Sequence, residues 1–157
     1  ARPKNSLGIR GVFLNNLQII YMDTLCFNMD RHTKNYGVLR DVESGAILSM
    51  APNFDNNIAL FARGIPNDMS RGKDKLLELF LALPRQDNLA TKMILELPVP
   101  TKEMIIQCAN ETGIKVDMEV LCSFILNGSQ LIQSKIHSIE IEQKEGFQQD
   151  MGMMRIE

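Results

Sequence analysis

Two short polar segments of the sequence carry side chains that could do chemistry together. The first is Asp30-Arg31-His32-Thr33-Lys34-Asn35, and the second is Ala51-Pro52-Asn53-Phe54-Asp55. Phosphoryl transfer needs a carboxylate next to the acceptor hydroxyl and oxygen ligands that hold magnesium between the nucleotide phosphates. Asp30 suits the first role, while Asn35 and Asp55 offer the neutral and charged oxygens that magnesium prefers. The two segments therefore predict a site for Mg²⁺ and ATP.

A helix must hold the first segment in place. Between Gly11 and Phe27, apolar residues recur at helical spacing and predict a largely buried helix that ends near Asn28. Such a helix would present Asp30 from a rigid element.

A hairpin is predicted to connect the two segments. Tyr36 to Arg40 and Ala46 to Met50 are short runs on either side of the polar stretch 41–45. A Gly-containing polar turn between two such runs is typical of a β-hairpin. This hairpin would bring Asp55 back towards Asn35.

The rest of the chain predicts further helices. An apolar repeat over 73–83 predicts a helix that stops at Pro84, and Asn88 is expected to cap a helix that runs to about Leu95. Thr101 and Gly113 mark the two ends of the next helix. A long apolar stripe then begins at Asp117, with either a break between two helices or a kink at Asn127-Gly128-Ser129. With 157 residues and no linker, one domain over 1–157 is expected. The predicted class is mainly α (α+β).

Composition narrows the classes of partner. The formal net charge is -2 and no basic stripe gathers on one face, so direct binding of nucleic acid is not expected. No apolar run is long enough to cross a bilayer, so no membrane association is expected either. Cys26, Cys108 and Cys122 lack metal-ligand spacing and are interpreted as buried thiols in a reducing compartment, which favours a cytoplasmic location.

The motif at Asp30 resembles the catalytic loop of the HipA-like kinases, a bacterial Ser/Thr kinase family related in its catalytic core to protein kinases. That loop reads Asp-Arg-His-x-x-Asn, and the sequence carries it unbroken to Asn35. Tyr36-Gly37 and the Ala-Pro-x-Phe-Asp segment ending at Asp55 are also similar to this family. The resemblance is specific over about 23–60.

The resemblance implies a role for each residue of the motif. Asp30 would be the catalytic base and His32 would orient the loop, with Arg31 supporting it. Asn35 and Asp55 would be the magnesium ligands. The fold would be the helical C-terminal lobe of such a kinase, with a small hairpin that carries the catalytic and metal-binding loops. The reaction would transfer the γ-phosphoryl group of ATP to a Ser/Thr hydroxyl of a protein substrate.

A complete kinase also needs an upper lobe that covers the nucleotide phosphates and supplies a Lys. Only 29 residues precede Asp30, which leaves no room for that lobe. We therefore expect the chain to be a fragment, a naturally short protein or one half of a split enzyme, with the N-terminal lobe supplied in cis or in trans. The residues that contact the nucleotide base stay unassigned.

Two other classes of function stay open. The chain could be a non-catalytic interaction module that kept a kinase lobe to bind a partner protein, in a toxin-antitoxin-like or mobile-element setting. A DNA-linked regulatory protein is less favoured, because the charge is nearly neutral and no helix-turn-helix is recognisable. His32, taken alone, is more often a structural hydrogen-bonding residue than a proton carrier.

Overall fold

The computed structural model describes the backbone of residues 9–56, 58–113 and 115–153, and the side chains of 11–56, 58–113 and 115–147. The chain divides into two compact units, Ala1–Pro66 and Asn67–Glu157. In its described residues the protein is mainly helical, with five α-helices and one small antiparallel sheet. The predicted α-rich class with a small hairpin is confirmed at this level. A single domain over 1–157 stays a prediction.

The unit Ala1–Pro66 consists of one helix and one hairpin. Helix α1 spans Ile9–Cys26, a single 3-10 turn spans Thr33–Asn35, and strands β1 and β2 span Val38–Arg40 and Ile47–Met50. The buried face of α1 repeats at helical spacing, as its sequence pattern indicates, through Leu17, Tyr21, Thr24 and Leu25.

The hairpin forms where the sequence predicts it. Its register pairs Val38 with Met50, Leu39 with Ser49 and Arg40 with Ile47, with an irregularity in the pairing between Leu39 and Arg40. Just beyond the strands, Ala51 N donates to Gly37 O at 2.8 Å. The hairpin therefore returns the chain to the level of the 3-10 turn.

The unit Asn67–Glu157 contains the other four helices. They are α2 (Lys75–Gln86), α3 (Asn88–Leu95), α4 (Lys102–Thr112) and α5 (Met118–Met153). Helix α5 packs against each of the other three. The largest apolar side chains of this core are fully buried and include Phe80, Met93, Ile94, Phe124, Ile132 and Ile136.

Two predicted boundaries in this unit were wrong. Pro84 lies inside α2 and does not end it, because the helix continues to Gln86. The carbonyl of Pro84 accepts hydrogen bonds from Thr91 Oγ1 at 3.1 Å and from Gln143 Nε2 at 2.6 Å, so the last turn is held by tertiary contacts. Asp87, not Asn88, caps α3, since its carboxylate accepts from Leu89 N at 2.8 Å.

The ends of α4 agree with the sequence signals. The Thr101 hydroxyl accepts from Met104 N at 3.3 Å, and Gly113 ends the helix with a φ of +66°. Helix α5 runs without a break through Asn127-Gly128-Ser129, so of the two alternatives for this stretch the break is wrong.

The cysteines differ from the interpretation that all are buried thiols. Cys122 is buried and Cys26 is half-buried, but Cys108 is exposed. The prediction that Cys108 is buried was wrong because the buried face of α4 is narrow. Ala109 lies on that face, and Cys108, the preceding residue, lies about 100° around the helix from it. Within the described part of the chain, no helix combines the length and apolar composition needed to cross a membrane.

Candidate active site

The guanidinium of Arg31 lies at the centre of the candidate site. Its Nε donates to Asp23 Oδ2 at 2.7 Å and its Nη2 donates to Asp23 Oδ1 at 2.8 Å. Both side chains are only 7% exposed. Two parallel charge-assisted bonds of this kind fix the orientation of both partners. Asp23 belongs to α1, so the helix holds Arg31 rigidly.

Arg31 also joins the two polar segments of the sequence. Its Nη1 donates to Asn35 O at 3.1 Å and to Phe54 O at 2.8 Å. Its Nη2 donates to Asn53 Oδ1 and to Asn56 Oδ1, each at 2.7 Å. One side chain therefore holds the Asp30–Asn35 segment next to residues 53–56, and its role in a kinase loop stays a prediction.

Asn28 provides a second link between the helix and the later segment. Its Nδ2 donates to Asp23 Oδ1 at 2.9 Å and to Asn56 Oδ1 at 3.1 Å, and the residue is 1% exposed. Its Oδ1 accepts from Asp30 N at 3.4 Å. The backbone of Asp30 is thus fixed from the side of α1.

The amide of Asn35 connects the predicted base to a predicted metal ligand. Its Nδ2 donates to Asp30 O at 3.0 Å, and the residue is 5% exposed. This bond fixes which way the amide is oriented. Its Oδ1 accepts no hydrogen bond from the described residues and is therefore available to bind a ligand.

His32 makes a local contact. Its Nδ1 accepts from Lys34 N at 3.2 Å and caps the 3-10 turn, while the residue itself is exposed. This contact holds the turn that positions Asn35. The expected role of His32 in orienting a catalytic loop stays a prediction.

Asp55 occupies an unusual backbone conformation. Its φ is +59°, which few residues other than Gly adopt, and the residue is exposed. Its carboxylate accepts no hydrogen bond from the described residues. Non-Gly residues in this region are enriched at functional sites, where the local cost is balanced by surrounding structure.

The electrostatics of the site are set by Asp23. The pKa of Arg31 is raised, first by its hydrogen bonds to Asp23 and further by the negative charges of Asp23 and Asp55, while burial opposes the shift. The pKa of Tyr36 is also raised, mainly by burial and also by the charge of Asp23. The ring of Tyr36 lies 5.7 Å from Arg31 Cζ, which suits a cation-π contact.

The charge balance of the site favours a cation. Asp23 and Arg31 neutralise each other in a buried pair, and the carboxylates of Asp30 and Asp55 form no salt bridge with any described residue. A cation could neutralise an excess of negative charge of this kind.

The donor set fits magnesium bound with phosphate oxygens. Among the described residues no group of three or more His, Cys, Asp or Glu side chains could hold a metal by itself. Asn35 and Asp55 offer two oxygens. Magnesium is usually bound through one or two protein oxygens plus substrate phosphates and water, so this set suits a nucleotide-bound ion better than an all-protein cage.

Sequence reasoning did not single out the residues that assemble the site: Asp23, Asn28, Asn53 and Asn56. One signal was present for Asp23, because a carboxylate flanked by the apolar residues of a buried helix needs a partner. The amides of the second segment gave no such signal, since Asn is common in any loop.

No model of a protein family matches the chain, and no curated protein or solved structure matches it either. The likeness to HipA-like kinases is therefore carried by the motif residues themselves. The geometry around Arg31 is the independent support for a site at this place.

Proposed function

We propose that the chain is the C-terminal lobe of a HipA-like Ser/Thr kinase and serves ATP- and magnesium-dependent phosphoryl transfer to a hydroxyl. One observation carries the proposal. Arg31 bonds at once to Asp23, to Asn35 O and to Phe54 O, so the segment with the base and the segment with Asp55 form one assembled unit. A loop rich in polar residues by chance would not need a buried ion pair at its centre.

The proposed roles follow from the contacts of each residue. Asp30 accepts the proton of the acceptor hydroxyl while that oxygen bonds to the γ-phosphorus and the bond to the β-phosphate oxygen breaks, which releases ADP. Asn35 and Asp55 would hold magnesium, which would supply neutralisation of the phosphate charge. The bond from Asn35 Nδ2 to Asp30 O fixes the proposed metal ligand relative to the backbone of the proposed base. Positioning and electrostatic stabilisation account for most of the catalysis in this class of reaction.

The remaining parts of a kinase would lie outside this lobe. The phosphate-covering loop and the nucleotide-binding Lys would come from an N-terminal lobe in cis or in trans. The acceptor would be a Ser or Thr of a protein substrate or of a toxin-antitoxin partner in the cytoplasm. These assignments follow from the motif, so evidence against a kinase role for the motif would also be evidence against them.

The hairpin supports a second candidate function, a non-catalytic interaction module. It exposes several apolar side chains: Val38, Leu39, Val42 and Leu48 are between 39% and 99% exposed. Grouped exposed apolar residues often mark a protein-binding surface. Such a module would need the fold of the lobe but not the carboxylate of Asp30.

Phosphoryl transfer in the Asp30→Asn variant separates the two functions. Labelled ATP and magnesium are added to the chain together with a Ser/Thr-containing test protein, and incorporation of the γ-phosphoryl label is measured. Because the nucleotide-covering lobe is expected to lie outside this chain, the kinase proposal expects only slow incorporation with the native chain, and at least about a hundredfold less with the variant, whose circular dichroism stays unchanged. No incorporation together with no magnesium-dependent binding of ATP favours the interaction module.

A further inference from the structure

Two side-chain amides of the second polar segment face Arg31 with their oxygens. Asn53 Oδ1 and Asn56 Oδ1 each accept from Arg31 Nη2 at 2.7 Å. Asn56 Oδ1 also accepts from Asn28 Nδ2 at 3.1 Å. A guanidinium only donates hydrogen bonds, so the atom of each amide that faces it must be the oxygen. The NH2 groups of Asn53 and Asn56 are therefore turned away from Arg31.

These two NH2 groups are available as hydrogen-bond donors. Asn53 and Asn56 are both exposed, and neither NH2 group donates to a residue that the structure describes. Both oxygens contact the same nitrogen of Arg31, so the two amides lie side by side. The side chain of Arg31 is only 7% exposed and is itself held by Asp23. The donors are thus held in place before a ligand arrives, which lowers the entropy cost of binding one.

Asp55 lies between these two residues in the chain. Its negative charge contributes to the raised pKa of Arg31, so its carboxylate acts on the same guanidinium that the two amides contact. That carboxylate forms no salt bridge with a described residue. Residues 53–56 therefore combine donors that suit an anion with an acidic group that suits a cation.

The amide of Asn35 presents the opposite atom. Its Nδ2 donates to Asp30 O at 3.0 Å, which leaves its oxygen available. The oxygens of Asn35 and Asp55 suit a hard cation, whereas NH2 groups suit oxygens that only accept hydrogen bonds. A bare cation would leave the NH2 groups unused, and the charge of Asp55 would repel a bare anion. A phosphate chain with bound magnesium satisfies both kinds of group.

We propose that Asn53 and Asn56 bind oxygens of a magnesium-bound polyphosphate chain through their Nδ2 groups. The inference rests on the proposed kinase function, and it adds to that site two neutral groups that contact phosphate and not the metal. Hydrogen bonds from neutral donors to charged oxygens are stronger than those between neutral groups. Arg31 is already engaged by Asp23 and by both amides, so it acts through Asn53 and Asn56 by positioning them.

Proton–nitrogen NMR of the side-chain NH2 groups tests this contact directly. The probe is magnesium tripolyphosphate, which has a phosphate chain like that of ATP but no base. The signals of Asn53 and Asn56 are assigned from spectra of Asn53→Asp and Asn56→Asp, in which one signal each is missing. Both signals should shift with saturation as the probe is added, whereas that of Asn110, which is exposed on α4, should not move. Adenosine should shift none of them.

The same variants measure what each donor contributes to affinity. Asp keeps an oxygen that can accept from Arg31, so the midpoint of urea unfolding should not fall. It lacks the NH2 group, so each variant should bind magnesium tripolyphosphate and magnesium ATP at least about tenfold more weakly by calorimetry. Asn110→Asp makes the same change of charge on α4 and should bind both probes like the native chain.

Several results would overturn the proposal. Saturable binding of the tripolyphosphate without a shift of the two NH2 signals is one, and native affinity in both Asp variants is another. Equal binding of orthophosphate without magnesium would also contradict it, because the site would then hold a free phosphate ion. If binding of magnesium ATP is lost in Asp55→Asn but unchanged in Asn53→Asp and Asn56→Asp, this inference fails and the proposed kinase site stands. No binding of either probe by the native chain would reject both.

Discussion

At the scale of single residues, Arg31 determines how the site is assembled. Its flat guanidinium can bond to Asp23 on one edge and to two carbonyl groups and two amides on the others. A Lys ammonium has the same charge but lacks this fixed fork of donors. The geometry therefore depends on the shape of the group as well as on its charge.

Replacing Arg31 should destabilise the protein strongly. Arg31→Ala leaves Asp23 as a buried charge without its partner, and breaking a buried pair in this way costs about 3 to 5 kcal/mol. The free energy of unfolding is measured by urea denaturation. The control is the double variant Asp23→Ala with Arg31→Ala, which should lose less than the sum of the two single variants. Additive losses would mean that the pair does not hold the loops.

The carboxylate of Asp55 should matter for magnesium-dependent binding and contribute little to the stability of the fold. At a φ of +59° Gly is less strained than Asp, so Asp55→Gly should leave the free energy of unfolding within about 1 kcal/mol of the native value. The same variant should lose magnesium-dependent nucleotide binding. A loss of stability well above that range, measured by urea denaturation, would show that Asp55 is a structural residue.

At the scale of elements, the turn of the hairpin has a pH-dependent contact. The carboxylate of Asp41 accepts from Ser44 Oγ and from Ser44 N, both at 2.7 Å. These bonds lower the pKa of Asp41 below its usual value of 3.8, and the bond from the Ser44 hydroxyl contributes most to the shift. The ionised form is the one favoured in the fold.

The contribution of this turn should be present at neutral pH and lost in acid. Because the pKa of Asp41 is lowered in the fold, its stabilisation is complete above the unfolded value of 3.8 and disappears as the pH falls through the folded value. A carbon-detected NMR titration should give a midpoint below 3.8 for Asp41. In Ser44→Ala the midpoint should rise. An unchanged midpoint in the variant would show that the Ser44 hydroxyl is not the main cause of the lowered Asp41 pKa.

Gly128 in helix α5 leaves room for the side chain of Arg71. The Arg71 side chain pairs with Asp74 at 2.6 Å and lies 4.4 Å from the Phe124 ring centroid, and it passes against Gly128. A Cβ added at Gly128 would lie 2.8 Å from Arg71 Cζ, closer than packing allows. Asp74 also caps α2 by accepting from Leu76 N at 2.9 Å, so moving Arg71 disturbs a helix start.

Gly128→Ala should therefore destabilise the protein although Ala is the better helix former. The gain in helix propensity is about 1 kcal/mol, whereas displacing the buried ion pair costs about 3 to 5 kcal/mol. Gly146→Ala on the same helix is the matched control, because no atom lies within 4 Å of the added Cβ. It should stabilise by up to about 1 kcal/mol. Urea denaturation of both variants checks the difference, and equal effects would contradict the steric argument.

The helices were predictable because their signals are local. Thr101 and Gly113 mark the ends of α4 within a few residues of its apolar face. Pro84 misled the prediction, because Thr91 and Gln143 stabilise the turn that contains it, and these partners are distant in the sequence. Local propensity cannot show such contacts.

The candidate site was predictable as a motif but not as a structure. Asp30, Asn35 and Asp55 were identified from their types and spacing. Asp23 was not singled out, because its partner lies eight residues away around the end of a helix, and its bond to Arg31 depends on the path of that turn. Side-chain bonds across a turn follow from folded geometry, not from periodicity.

At the scale of the whole molecule, the site and its supporting contacts lie within the unit Ala1–Pro66. The described hydrogen bonds by which Asp23, Arg31 and Asn56 assemble the two segments all join residues of this unit. We therefore expect the metal ligands to be positioned even where a nucleotide-covering lobe is missing. Binding should then be weak but specific.

The most direct test of this account is a calorimetric titration of the chain with ATP and magnesium, compared with Asp55→Asn. A magnesium site at Asn35 and Asp55 should give weak binding that requires both ATP and magnesium, and at least about a tenfold loss in the variant, since a ligand charge is removed. Circular dichroism should show the same helix content in both proteins. Equal binding by the two proteins would contradict the metal assignment, and no binding by the native chain would contradict a site assembled within this lobe.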